Sequence, residues 1–261
     1  MNTTSKGLLR AGQAAVLIAA AVGAAPATAA TLYSTGFEPP TFTTGQLAGQ
    51  DGWQEVPGAS AAVQVENAFA LTGTQAFDVV PALASTQDGG FRTVATTASI
   101  VTQSADIWLS SSSTETKYQF AATGPFLVGF AGGIDILPTD PVNNTIQAIS
   151  GSFPVIGTFA RDRWNHVDMT LNYATQTFAV ALNGTTLASG LAFCGSNNGC
   201  TGAVVANYAD GVFDAFHTPN VNDIGFLDNY SVTSLDVPEP ASILVLGIGL
   251  AGLCVGRRRR A

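Results

Sequence analysis

The sequence predicts an all-β domain built as a sandwich of two antiparallel sheets, and three observations carry this. Between Leu32 and Leu235 no window of helical length holds an apolar stripe of period 3.6. Apolar and polar residues alternate instead in short runs, separated by Gly, Pro, Asn and Asp. Gly, Thr, Ser, Val and Phe are abundant, while Lys, Glu and Met are scarce.

In chain order, strands are expected at Ala62–Val65, Ala76–Val80, Phe91–Val94, Ile100–Ser110, Lys117–Ala122 and Phe126–Phe130. Further strands are expected at Ile146–Ser150, Thr201–Tyr208 and Ile224–Ser234. The clearest signal runs from Arg163 to Leu187. There Val167, Met169, Leu171 and Tyr173 alternate with His166, Asp168, Thr170 and Asn172. Phe178, Val180 and Leu182 alternate likewise, and Asn183-Gly184 then marks a tight turn, since a type I′ hairpin needs positive φ at both central residues. About a dozen strands and no helix require two packed sheets, because each sheet must cover one apolar face. No internal repeat or second domain boundary is visible.

The two ends have different physics. Lys6 and Arg10 precede an almost wholly apolar run from Ala11 to Ala25, and Ala27-Thr28-Ala29 supplies an A-x-A cleavage motif. This is the pattern of a signal peptide over residues 1–30, which leaves 31–236 as the folded domain. At the other end, 237–261 divides into VPEP, an uncharged stretch from Ala241 to Gly256, and Arg257, Arg258, Arg259 and Arg260. Pro238 and Pro240 end the preceding fold. A helix over 241–256 would rise roughly 24 Å, slightly short of a ~30 Å hydrocarbon core. The arginines then stop transfer and hold that end on the cytoplasmic side. A plain C-terminal membrane anchor would look similar.

The tail closely resembles the PEP-CTERM sorting signal of Gram-negative bacteria. That resemblance implies that an exosortase recognises Pro238, Glu239 and Pro240 and removes the tail. It also implies export across the inner membrane, only transient membrane contact, and a destination at the cell surface or in the extracellular matrix.

The chain has ten basic and eighteen acidic residues. Lys6, Arg10 and the four terminal arginines lie in the removable ends, leaving Arg92, Lys117, Arg161 and Arg163; Glu239 leaves with the tail, so seventeen acids face four bases, a balance of −13. Such a domain does not bind nucleic acid or anionic lipid through charge. It suits calcium or a neutral glycan better than a strongly anionic polymer.

RDRWNHVDMTLNYATQTFAVALNGTTLASG resembles the concanavalin A-like, or laminin-G-like, jelly-roll superfamily. FEPPTFTTGQLAGQDGW, from Phe37 to Trp53, resembles the entry segment of such domains, and IGFLDNYSVTSL, from Ile224 to Leu235, their closing strand. The resemblance implies a jelly roll whose first and last strands are neighbours. Domains of this kind often tie those strands together with one calcium ion. Glu38 and Asp228, at the two ends, are therefore the expected structural calcium ligands, with Asp210, Asp214 and Asp223 as the second choice. The alternative is that these acids are simply solvated.

Nothing in the sequence marks an active site. Glucanases of this fold use paired carboxylates, typically Glu-x-Asp-x-x-Glu, and Glu38, Glu55, Glu66 and Glu115 stand in no such spacing. His166 and His217 lie near no recognisable nucleophile motif. Four basic residues are few for a lyase. His166 is read as shaping the start of a strand, and Trp53, Trp108 and Trp164 as core residues. Cys194 and Cys200 bracket GSNNG, and in an oxidising compartment a local disulfide is expected. The expected function is non-catalytic association with exopolysaccharide. The competing reading is a glycosidase or lyase on the same fold.

Overall fold

Period-two alternation, with one apolar phase per strand, organises the domain. The computed structural model describes residues 29–56, 63–79, 86–112, 115–124, 127, 129–139, 143–194, 205–217 and 223–235. In chain order these form β1 (Ala29–Thr35), β2 (Gly45–Gln46), β3 (Trp53–Glu55), β4 (Val63–Glu66), β5 (Ala76–Val79), β6 (Gln87–Thr96), β7 (Ile100–Leu109) and β8 (Lys117–Thr123). The series continues with β9 (Phe130–Leu137), β10 (Asn143–Ala148), β11 (Val155–Ala160), β12 (Asn165–Asn172), β13 (Thr177–Leu182), β14 (Thr185–Ala192), β15 (Tyr208–Phe216) and β16 (Gly225–Leu235). No α-helix occurs among the described residues. The expected signal helix and the expected transmembrane helix over 241–256 lie outside them, as do Pro238, Glu239, Pro240 and Arg257–Arg260.

Every strand pair is antiparallel, in two sheets. The larger sheet runs β14-β13-β12-β7-β16-β5-β4-β2, with β1 also on β16. The smaller runs β11-β10-β9-β8-β15-β6-β3. First and last strands are neighbours, with Ala30 opposite Ser234 and Thr35 opposite Tyr230.

The core forms where the inner faces meet. Ile107, Leu109, Leu171, Phe77 and Leu227 of the larger sheet join Tyr118, Phe120, Ile134, Ile136 and Phe213 of the smaller in one buried cluster. Trp53 is buried as expected, its indole N–H donating to the Tyr33 hydroxyl at 3.0 Å. One polar chain runs through this core. The Gln103 amide donates to the Ala121 carbonyl, and Tyr208 Oη bonds both Gln103 Oε1 and Tyr230 Oη.

The turn at Asn183-Gly184 has φ of 51° and 77°, the double positive φ its sequence demands. The structure departs from expectation in several strands. The strands expected at Phe126–Phe130 and Thr201–Tyr208 lie partly outside the described residues; the observed strands run through Phe130–Leu137 and Tyr208–Phe216, and β1, β2, β3 and β11 were not expected. For β9 and β15 the reason lies in the glycines. A Cβ at Gly132 would meet Leu171 and Phe178 of the facing sheet at 2.9 Å, and one at Gly211 would meet two tyrosine hydroxyls. At these points large side chains, Leu171, Phe178 and Tyr230 from the facing sheet and Tyr208 from β15 itself, fill the space that a β-former would occupy, so the strands read as loop.

Candidate functional site on the outer face of the larger sheet

Residues directly opposite in an antiparallel ladder point to the same face. On the outer face of the larger sheet this brings together Gln64 opposite Asp78, Asp78 opposite Phe226 and Phe226 opposite Trp108. Trp164, just before β12, extends the row. Phe69, on the β4–β5 connection, lies over it. Its ring stacks on Trp164 at 5.4 Å and 11°, and meets Trp108 at 4.9 Å and Phe226 at 5.1 Å. Phe69 is 37% exposed, and Trp108, Trp164 and Phe226 are half-buried. The expectation that Trp108 and Trp164 are core residues is therefore corrected. The inward phase of β7 is Val101, Gln103, Ala105, Ile107 and Leu109, which turns Trp108 outward.

One pleat further, ~7 Å along the strands, lies a charged row. Asp228 is opposite Asp106, and Asp106 is opposite His166. His166 Nδ1 lies 2.9 Å from Asp106 Oδ1 and its Nε2 3.2 Å from Asp168 Oδ1. Ser104 Oγ donates to Asp168 at 2.6 Å, and the Asn229 amide donates to Asp106 at 2.9 Å. Burial of the imidazole works against its charge, but the two aspartates outweigh it and hold its pKa above the ordinary value. Of its two ring partners, Asp168 stands two residues along its own strand and Asp106 arrives on β7, which the sequence does not place beside it.

The expected calcium pair does a different job. Asp228 accepts the backbone N–H groups of Leu71 and Thr72 at 3.0 Å and of Asn229 at 2.7 Å. Glu38 accepts those of Thr74 at 2.7 Å and Gln75 at 2.9 Å, plus the Thr74 hydroxyl. Both carboxylates thus grip one loop, 71–75, just beyond Phe69. A β-bulge at Asn229, φ 49°, turns Asp228 toward it. In the structure each of these carboxylates is engaged by N–H groups, chiefly those of this loop. Among the described residues no group of three or more His, Cys, Asp or Glu could hold a metal ion. The second-choice acids do not converge either. Asp210 binds Thr93 Oγ1 and the Leu127 N–H, Asp214 binds Gln87, and Asp223 binds the Glu115 and Thr116 N–H groups.

A prediction follows for this fastening. Asp228→Ala should cost about 2–3 kcal/mol and release the amides of Leu71 and Thr72 to fast hydrogen exchange, with Phe69 following. Adding EDTA to the wild type should leave its melting temperature unchanged; a clear fall would restore the calcium reading.

The outer face of the smaller sheet carries a second polar row. Gln147, Asp135, Gln119 and Asp214 lie opposite one another across β10, β9, β8 and β15. Asp135 accepts from Lys117 Nζ at 3.3 Å and from the Gln119 amide at 2.8 Å. Two acids flanking an amide have the composition of an acid–base pair, but Asp135 is 6% exposed and Asp214 2%.

Cys194 is buried and disulfide-bonded, and Cys200 lies outside the described residues.

The geometry defines the class: an all-β, jelly-roll-like sandwich of two antiparallel sheets. Solved structures agree on the fold. A conserved carbohydrate esterase from a Shiga toxin-encoding bacteriophage is similar, with TM-score 0.57 and 13% identity over 80% of this chain and 100% of that one. So is an endo-1,3-beta-glucanase from Streptomyces sioyaensis, with TM-score 0.53 and 13% identity over 81% and 99%. A sialidase matches with TM-score 0.53 and 12% identity over 71% of this chain, which spans only 17% of that longer protein. No curated protein matches in sequence. The particular identity comes from the tail: residues 236–260 match the PEP-CTERM protein-sorting motif, so this is an exported protein sorted by an exosortase.

Proposed function

We propose that the chain is a non-catalytic exported protein that binds extracellular polysaccharide through the outer face of its larger sheet. The aromatic row carries this reading. Four rings clustered on a sheet face, Phe69 exposed and the other three half-buried, offer apolar surface on which sugar rings stack. The charged row beside them, with Ser104, His166, Asp168 and Asn229, supplies donors and acceptors for sugar hydroxyls. Exosortase sorting supports a matrix or cell-surface destination. The absence of the glutamate spacing used by glucanases of this fold supports binding without cleavage.

Trp108→Ala should weaken binding to the matrix polysaccharide by roughly tenfold or more, while the melting temperature moves little, since Trp108 lies outside the core. Affinity electrophoresis of wild type and variant through gels loaded with that polysaccharide checks this. Equal retardation of the two proteins would refute the site. Steady release of reducing ends or unsaturated uronates by the wild type would show an enzyme instead.

A further inference from the structure

We propose that the polysaccharide carries free amino groups, and that the Asp78 carboxylate in the aromatic row receives the ammonium of a hexosamine lying against Phe226, Trp108 and Phe69. This rests on the glycan-binding reading and names the substrate class.

Asp78 is the one carboxyl in the aromatic row, between Gln64 and Phe226. It is 5% exposed, and its Oδ1 has no hydrogen-bond partner among the described residues. A buried carboxylate is stable only with a counter-charge or a proton. The domain supplies no such counter-charge here. Arg92 lies over the Tyr33 ring and bonds the Thr93 carbonyl; Lys117 is paired with Asp135; Arg161 holds Asn144 and Arg163 reaches Asn165. The aromatic faces beside Asp78 attract the same kind of ligand, since a cation gains from the ring quadrupole. The surrounding charge is also selective. Glu66, Asp106, Asp168 and Asp228 share this face with His166 as its one base, so an anionic polymer is repelled and an amine drawn in. Burial and the Glu66 charge push the Asp78 carboxyl up to about 7, so near neutral pH an arriving ammonium displaces a proton. A lysine-bearing peptide could offer the same cation. The four-ring surface and the adjacent row of hydroxyl-binding groups favour a sugar ring attached to it.

The test is calorimetric titration of the intact domain with β-1,4-linked glucosamine oligomers and with the same oligomers N-acetylated. The amine form should bind roughly tenfold tighter. Asp78→Asn should erase that preference, whereas Trp108→Ala should weaken binding of both forms and leave the preference between them. Titration of the wild type in buffers of different ionisation heat should show proton release with the amine form alone, a readout that needs no variant. Equal affinity for the two oligomers, a preference that survives Asp78→Asn, or oligolysine binding as tightly as the amine oligomer would each overturn the proposal. If acetylated or other neutral glycans bind at Trp108 without amine preference, the glycan-binding reading stands and this inference falls. If no polysaccharide binds at that face, both fall.

Discussion

Lowering the pH from about 8 to about 5 should raise the melting temperature of the domain, by on the order of 10 °C. Two buried carboxyls set the direction. Desolvation, with Glu66 adding repulsion, pushes Asp78 up to about 7, and Gln64 is its other close neighbour. Desolvation likewise pushes Asp214 up to about 7; Gln87 and Lys117 oppose the shift and Asp135 adds to it. Both groups are protonated more readily in the folded chain than in the unfolded one. Their stabilisation is complete below the ordinary carboxylate pKa of 3.8 and is lost as pH rises through about 7. A shift of that size corresponds to at most about 4 kcal/mol for each group. Asp228, raised chiefly by burial, and His166, held up by its two aspartates, act in the same sense. Glu38 and Asp162 are shifted the other way, and their contribution is lost only as pH falls through the ordinary carboxylate range and below. Stability should therefore peak near pH 5. Differential scanning calorimetry across this range checks the curve. Asp78→Asn with Asp214→Asn should flatten it, because neither amide titrates. A wild-type melting temperature that climbs steadily toward pH 8 would contradict the assignment of both groups.

How much was legible depends on whether the information is local. The Asn183-Gly184 turn, the alternation of 165–172 and the closing strand at 225–235 depend on near neighbours, and they stand where the sequence puts them. Strands β9 and β15 carry Gly132, Gly133 and Gly211 at points where side chains from elsewhere occupy the space, so their strand character lies in partners the sequence does not juxtapose. The candidate site is of this second kind. Asp78, Phe226, Trp108 and Trp164 come from four separate segments and meet only through register. Trp108 was still readable, because Ile107 and Leu109 fix the inward phase and leave it outside. Glu38 and Asp228 were rightly associated as the two ends of the domain. What they hold is a loop with its N–H groups, and the path of that loop is a tertiary fact.

Gly211→Ala should be severely damaging to the core. A methyl group at this position would stand 1.8 Å from Tyr230 Oη, 2.6 Å from Tyr208 Oη and 2.9 Å from Tyr230 Cζ. No real Cβ tolerates such contacts, and neither ring can swing aside. Tyr208 and Tyr230 are both fully buried, and their hydroxyls bond each other at 2.9 Å, with Tyr208 bonded onward to Gln103. The Gln103 amide in turn reaches across the sandwich to the Ala121 carbonyl. Making room therefore means opening the one polar chain that crosses the core, and each buried donor or acceptor left unmatched costs about 1–3 kcal/mol. Overpacking adds a similar ~1–3 kcal/mol. The sum of these effects, about 3–5 kcal/mol, is a large part of the stability of an ordinary domain, so the variant should melt more than ~10 °C lower or fail to accumulate. The double variant Gly211→Ala with Tyr230→Phe separates steric from general effects. Removing the Tyr230 hydroxyl takes away the shortest of the three contacts, so the double variant should be more stable than Gly211→Ala alone, although Tyr230→Phe by itself destabilises. Strict additivity of the two substitutions in urea unfolding would show that Gly211 is needed for some reason other than the space above it.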